Sequence, residues 1–159
     1  MKTEFDGVRI APNATVVGDV EIGAESSVWY GAVIRGDAGA IRIGKRTNIQ
    51  DNAIIHDATK LGDDCTVGHG AILHGCRSGD RCIFGMGCIV LNDVTIGDDC
   101  LIGAGALVTK RTVIPSGSLV LGNPARIVRE LTKDEISKLT RNSEFYLRRS
   151  REEEDANWE

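Results

Sequence analysis

The sequence predicts an all-β solenoid, a parallel β-helix of six-residue repeats closed by a C-terminal α-helix, and three observations predict it. Aliphatic or large apolar residues recur every six positions through most of the chain. Glycine often follows each of them, and the fourth residue after it is usually small. Aromatic residues make up only 4% of the 159 residues while glycines number 19, a composition that suits repeated aliphatic ladders better than a core filled by aromatic volume.

Residues 1–9 read as a lead-in, and residues 10–125 carry the repeat. It opens at Ile10, Val16, Ile22, Val28 and Ile34, slips by three residues, and continues through Ile43, Ile49, Ile55, Leu61, Val67 and Leu73. A one-residue deletion then resets the phase, Ser78 opens the second register, and Phe84, Val90, Ile96, Ile102, Val108, Ile114 and Val120 follow. No helix has a period of six. Short strands joined by tight corners do, with apolar side chains inward and glycine or small residues where the chain bends. Three such sides make a turn of eighteen residues, so the repeat supplies about six turns that stack and pair their backbones. The open ends need covers. Residues 126–159 supply a helix and a tail. Thr132 and Glu135 form a capping box, across which Leu131 can staple onto Ile136. Ile136, Leu139, Tyr146 and Leu147 predict one face laid on the solenoid, with Lys138, Arg141, Arg148 and Arg149 solvated and the charged tail from Arg151 frayed.

A net charge of −4 and a pI near 5.4 argue against nucleic acid as a partner. No membrane span or signal peptide is visible, which points to a cytoplasmic location. The five cysteines form no CxxC pair, so neither a disulfide framework nor a thiolate zinc knuckle fits. Cys65, Cys82, Cys88 and Cys100 fall at the small inward position and read as compact core residues. Cys76 lies off that position, two residues after His74, and a structural role is again expected of it.

His56, His69 and His74 are the chain's three histidines. His56 and His74 are one turn apart, so stacked strands about 4.8 Å apart would let them share one ion. His69 lies nearly a side away, on the order of 16 Å at strand rise, and cannot reach that ion within its own chain. A neighbouring copy could supply it if subunits pack about a symmetry axis, with three mixed sites around a three-fold axis. Three neutral nitrogens with one open position are what a hydrolytic zinc site needs. Arg35 and Asp37 of the Arg35-Gly36-Asp37 motif point out of the core, as does Gln50, six residues before His56. Without a secretion signal, that motif is not read as an adhesion signal.

Arg35-Gly36-Asp37, then Asn48-Ile49-Gln50-Asp51, then His56, then the stretch from Gly68 to Cys76, in this order on this repeat, resembles the γ-class carbonic anhydrases and their wider family. The resemblance covers nearly the whole chain. It implies a left-handed coil and a homotrimer with zinc at each interface, His56 and His74 coming from one subunit and His69 from the next. It also implies that Arg35 and Asp37 join subunits near the site, that Gln50 with Asn48 orients water or substrate, and that a zinc-bound hydroxide converts carbon dioxide to bicarbonate. Iron or cobalt could replace zinc at such a site. The chain departs from the active archaeal type, which carries a glutamate directly after the RGD-like aspartate and another on an acidic loop past the first histidine. Here Ala38 takes the first place and Asp57-Ala58-Thr59-Lys60-Leu61-Gly62 follows His56 with no insertion, so the proton path and the rate are open. Val120 stands where related members often place an aromatic residue near the pocket. A hexapeptide acyltransferase, with a histidine as general base, and a noncatalytic metal-binding trimer are the alternative readings.

Overall fold

The computed structural model describes residues 5–157. Over them the chain winds into a parallel β-solenoid of about six turns, matching a hexapeptide-repeat left-handed β-helix, with one helix at Lys133–Asn157. Most sides are strands of two or three residues, because one inward aliphatic residue with its neighbours spans the distance between corners. Arg9–Ile10, Ser27–Val28, Asn48–Ile49, Thr66–Val67, Ile83–Phe84, Leu101–Ile102 and Ser118–Gly122 stack in that order as the first side. The second and third sides share the other sheet, joined where Val33–Ile43 runs round a corner without a break. That strand pairs with Thr15–Ile22 through a register shift between Gly18 and Val20, and the slip in the period lies within it.

The interior is the expected set of ladders. Val28, Ile49, Val67, Phe84 and Ile102 line it from the first side, Ile34, Ile55, Leu73, Val90 and Val108 from the second, and all are buried. Each such burial contributes roughly 1.5–3 kcal/mol. One corner carries more chemistry than size alone. Ser26 Oγ donates to Gly44 O at 2.9 Å and Thr47 Oγ1 to Gly62 O at 3.0 Å. The thiols of Cys65, Cys82 and Cys100 do the same to Gly79, Gly97 and Pro115 at 3.4, 3.1 and 3.2 Å. These cysteines fill space and also bridge rungs. Beside them Glu25, Arg46, Asp64, Arg81 and Asp99, each at positive φ, form a column of alternating charge in which Arg46 grips Asp64 at 2.7 and 2.9 Å and Arg81 grips Asp99 at 2.7 and 3.0 Å.

Cys76 corrects one reading of the period. The deleted residue falls in the corner between His74 and Cys76, so Arg77 pairs with Lys60 and Cys76 takes the inward small position that Thr59 holds one turn earlier. It is fully buried among Ile41, Val94 and the other interior residues, and burial pushes its thiol up to about 12. Val120 also points inward, as a core residue of the last coil.

Between the last coil and the helix lies a strand that the period does not announce. Ala125–Glu130 turns back at the cis Asn123–Pro124 bond and pairs antiparallel with Ser118–Gly122, covering the edge of the coil. The helix then folds back along the first side onto Arg9–Ile10, Ser27–Val28 and Asn48–Ile49, burying Leu139, Ser143 and Ser150. It runs on through the tail expected to fray, supported by Arg149–Glu153 at 2.8 Å and Arg151–Glu25 at 3.0 Å; Trp158 and Glu159 lie outside the described residues. Among the described residues no helix is long and apolar enough to cross a membrane.

The helix start carries a testable electrostatic signature. Thr132 N donates to Glu135 Oε2 at 2.8 Å, Glu135 N donates to Thr132 Oγ1 at 3.2 Å, and Arg129 holds the same carboxylate through two bonds of 2.8 Å. The guanidinium first, then the Thr132 amide, holds the Glu135 carboxyl down to about 2 against an ordinary 4.5. A depressed folded pKa contributes stability that is complete above 4.5 and lost as pH falls through 2. Denaturant titrations of wild type and Glu135→Gln should therefore differ most at neutral pH and converge between pH 4.5 and 2. A gap that stays constant across that window would refute the linkage.

Candidate metal centre

Strand register brings Arg35, His56 and His74 into one outward column at the end of the second side. The two imidazoles meet edge to face, with ring centroids 5.0 Å apart, and His56 Nδ1 lies 3.1 Å from His74 Nε2. Two nitrogens at roughly 2.0–2.1 Å from one tetrahedral ion stand about 3.3 Å apart, so this pair fits a shared divalent cation. The far nitrogen of His56 has two neighbours. Nε2 lies 3.2 Å from Asp37 Oδ1 and 3.2 Å from Arg35 Nη2, while Arg35 Nε donates to Asp37 Oδ1 at 2.9 Å. A guanidinium can only donate and a carboxylate only accept. When Arg35 donates, His56 carries its proton on Nδ1 and bonds His74. When Asp37 accepts, the proton sits on Nε2 and Nδ1 is bare toward an ion. Partial burial would raise the Asp37 carboxyl, but its own backbone amide and Arg35 outweigh this and hold it below the ordinary carboxylate range. The glycine between them is required by the close rung, since a Cβ at Gly36 would sit 2.4 Å from Asp19 O.

His69 occupies a corner at the other end of the same side. Its Nδ1 lies 2.9 Å from Asp51 Oδ2, one turn earlier, and its Nε2 lies 3.3 Å from the Tyr146 hydroxyl on the helix. A carboxylate on Nδ1 fixes the proton there and leaves Nε2 as the donor atom for an ion. Gln50 is 3% exposed and donates through Nε2 to Asn48 Oδ1 at 3.0 Å, while Asn48 Nδ2 donates to Thr66 Oγ1 at 2.9 Å. Gln50, His69, Met86, Asn142 and Tyr146 line a cleft of about 260 Å³ between the helix and the first side. Burial, helped by Asp51, raises the Tyr146 hydroxyl pKa, and the Trp29 ring packs edge-on at 5.4 Å.

Within one chain the candidate residues fall into two separate groups. Arg35, Asp37, His56 and His74 come together, Asn48 and Gln50 lie with His69, and among the described residues no group of three or more potential ligands is arranged around one point. Between the two groups Val33, Ile54, Ile72, Ile89 and Leu107 stack in register, facing outward and only partly covered. The period marked the inward residues and gave no weight to this outward stripe. Asp51 was quoted with its motif but given no role and Asn92 was missed, although a step of eighteen from His69 reaches the first and from His74 the second.

Comparisons with known proteins agree with the coil and bear on its chemistry. The family model "Bacterial transferase hexapeptide (six repeats)" matches residues 5–36 and 79–110, and "Hexapeptide repeat of succinyl-transferase" matches 40–74. A probable carbonic anhydrase of Methanocaldococcus jannaschii is 50% identical over 147 residues, covering 90% of this chain and 92% of its own. The mitochondrial gamma carbonic anhydrase 1 of Arabidopsis thaliana is 44% identical over 147 residues, covering 86% of this chain; the chain spans 54% of that longer relative. A solved hexapeptide transferase family protein from Anaplasma phagocytophilum superposes with a TM-score of 0.89 at 41% identity, covering 92% of this chain and 89% of its own.

Proposed function

Because the chain belongs to the γ-carbonic anhydrase family, we propose that it interconverts carbon dioxide and bicarbonate at zinc centres assembled between the subunits of a homotrimer. The observation that carries this reading is the 3.1 Å gap between His56 Nδ1 and His74 Nε2, a two-ligand half-site whose third histidine stands at the far end of the same side. The outward stripe supports the assembly. Three second sides packed about a three-fold axis would bury Val33, Ile54, Ile72, Ile89 and Leu107 and set the His69 end of each chain against the His56–His74 end of the next. Gln50 and Asn48 travel with His69 to the same centre.

Zinc, when bound, supplies a Lewis acid that makes water a nucleophile near neutral pH. In this reading His56, His74 and the neighbour's copy of His69 hold it, and Arg35 with Asp37 fixes the ring of His56. Asn48 holds the amide of Gln50 so that it orients water or substrate in the cleft. Iron or cobalt would suit the same three nitrogens, and a cytoplasmic setting belongs to the same proposal. With Ala38 in place of a glutamate, nearby side chains offer little help in exporting the proton.

Metal content and hydration measured on one purified sample test the reading. About one zinc per chain with activity rising through a pKa near 7 is expected. Metal without hydration would leave a binding protein, and a metal-free trimer would favour acyl transfer, in keeping with the transferase description of the Anaplasma structure. His69→Ala should cut bound metal as deeply as His56→Ala, below roughly a tenth of wild type, and a full load in His69→Ala would sink the shared site. Ile72→Asp should yield monomers in sedimentation and lose the metal with the assembly. Turnover should rise with imidazole buffer concentration, because the solvent must carry the proton; a rate independent of buffer would contradict that.

A further inference from the structure

The far nitrogen of His74 is held differently from that of His56. His74 Nδ1 lies 2.9 Å from Asn92 Oδ1, and Asn92 Nδ2 donates to Asp57 Oδ2 at 2.9 Å. Asp57 Oδ1 in turn accepts from the amide of Ala58 at 2.8 Å. One side chain thus reaches back across two turns. It can do so because Gly75 lies beneath it: a Cβ there would stand 2.4 Å from Asn92 Nδ2. The polarity of this chain of contacts has one solution. A carboxylate only accepts, so the NH₂ of Asn92 must face Asp57 and its oxygen must face His74. The oxygen needs a hydrogen, and His74 must supply it from Nδ1.

We propose that Asn92 is a positioning residue for His74, one that locks the imidazole as its Nδ1–H tautomer, anchored by Asp57 and admitted by Gly75, so that the Nε2 lone pair always faces His56. The two histidines of the half-site then have different roles. His56 can switch its proton between Arg35 and Asp37 surroundings, whereas His74 is fixed before any ion arrives. A ligand held in its binding tautomer avoids the cost of redistributing a proton at the moment of binding. The proposal rests on the metal-centre reading for its purpose but not for its structure, because the tautomer exists in the metal-free chain.

The test uses the full chain with ¹⁵N-labelled histidine. Long-range ¹⁵N–¹H correlation of the metal-free protein should show His74 protonated at Nδ1. In Asn92→Leu the His74 signals should move to a mixture of tautomers, and zinc affinity, read by chelator competition, should fall about 10–100-fold. The exchange Asp57→Asn with Asn92→Asp reverses the anchor: a carboxylate at 92 accepts from Nδ1 and an amide at 57 donates to it. That double variant should keep the Nδ1–H form and bind zinc within a factor of about three of wild type. The idea is overturned if Asn92→Leu leaves both tautomer and affinity unchanged, or if the double variant loses as much as Asn92→Leu. Should His74 show the Nδ1–H form lost in Asn92→Leu while wild type takes up no zinc, the assignment to Asn92 stands and the metal-centre reading fails.

Discussion

Every rung of this coil must satisfy its backbone on the rungs directly above and below, because strands of two or three residues have no other partners. That requirement fixes a register in which each residue stacks on the one about eighteen positions away. The rest of the molecule follows from it. Columns of like side chains form the core, hydroxyls and thiols bridge rungs at one corner, arginine alternates with aspartate beside them, and two histidines stand within 3.1 Å of each other.

The same stacking explains how His56 and His74 are held without being deeply buried. His56 and His74 sit on paired strands whose inward neighbours, Ile55 and Leu73, are fully buried. Around the rings, contacts come from residues one turn away: Arg35 beneath His56, Asn92 above His74, Asp51 beneath His69. A solenoid places a second set of partners under and over any outward residue at no further cost in chain folding. It cannot bring the two ends of one side together. The separation of His69 from His56 and His74 is therefore a property of the coil.

Much of this was legible in the chain. The inward ladders were readable because burial selects large apolar residues, mostly aliphatic, at a fixed period, and Ile49, Ile55 and Leu73 fall where the period puts them. The capping box at Thr132 and Glu135 was readable because its partners are three residues apart. Cys76 was misplaced because a deletion moves the phase without saying which residue left, and only the pairing of Arg77 with Lys60 locates it. The strand Ala125–Glu130 has no six-residue mark because it pairs antiparallel, in a hairpin. The roles of Asn92 and Asp51 were hidden for a simpler reason: their chemistry is ordinary for a corner, and it becomes specific only through what lies one turn away.

By itself the sequence determined the period, and through it the coil, the inward faces and the stacking of His56 on His74, since all of these depend on spacing alone. Tertiary structure decided what spacing cannot encode. It set which nitrogen faces which, drew Asn92 across Gly75 to Asp57, laid Tyr146 of the helix against His69, and left an aliphatic stripe facing outward between His69 and the His56–His74 pair. The physical reason is that register is one-dimensional and set by backbone pairing, whereas hydrogen-bond direction, and contact with a helix from the far end of the chain, depend on side-chain geometry in three dimensions.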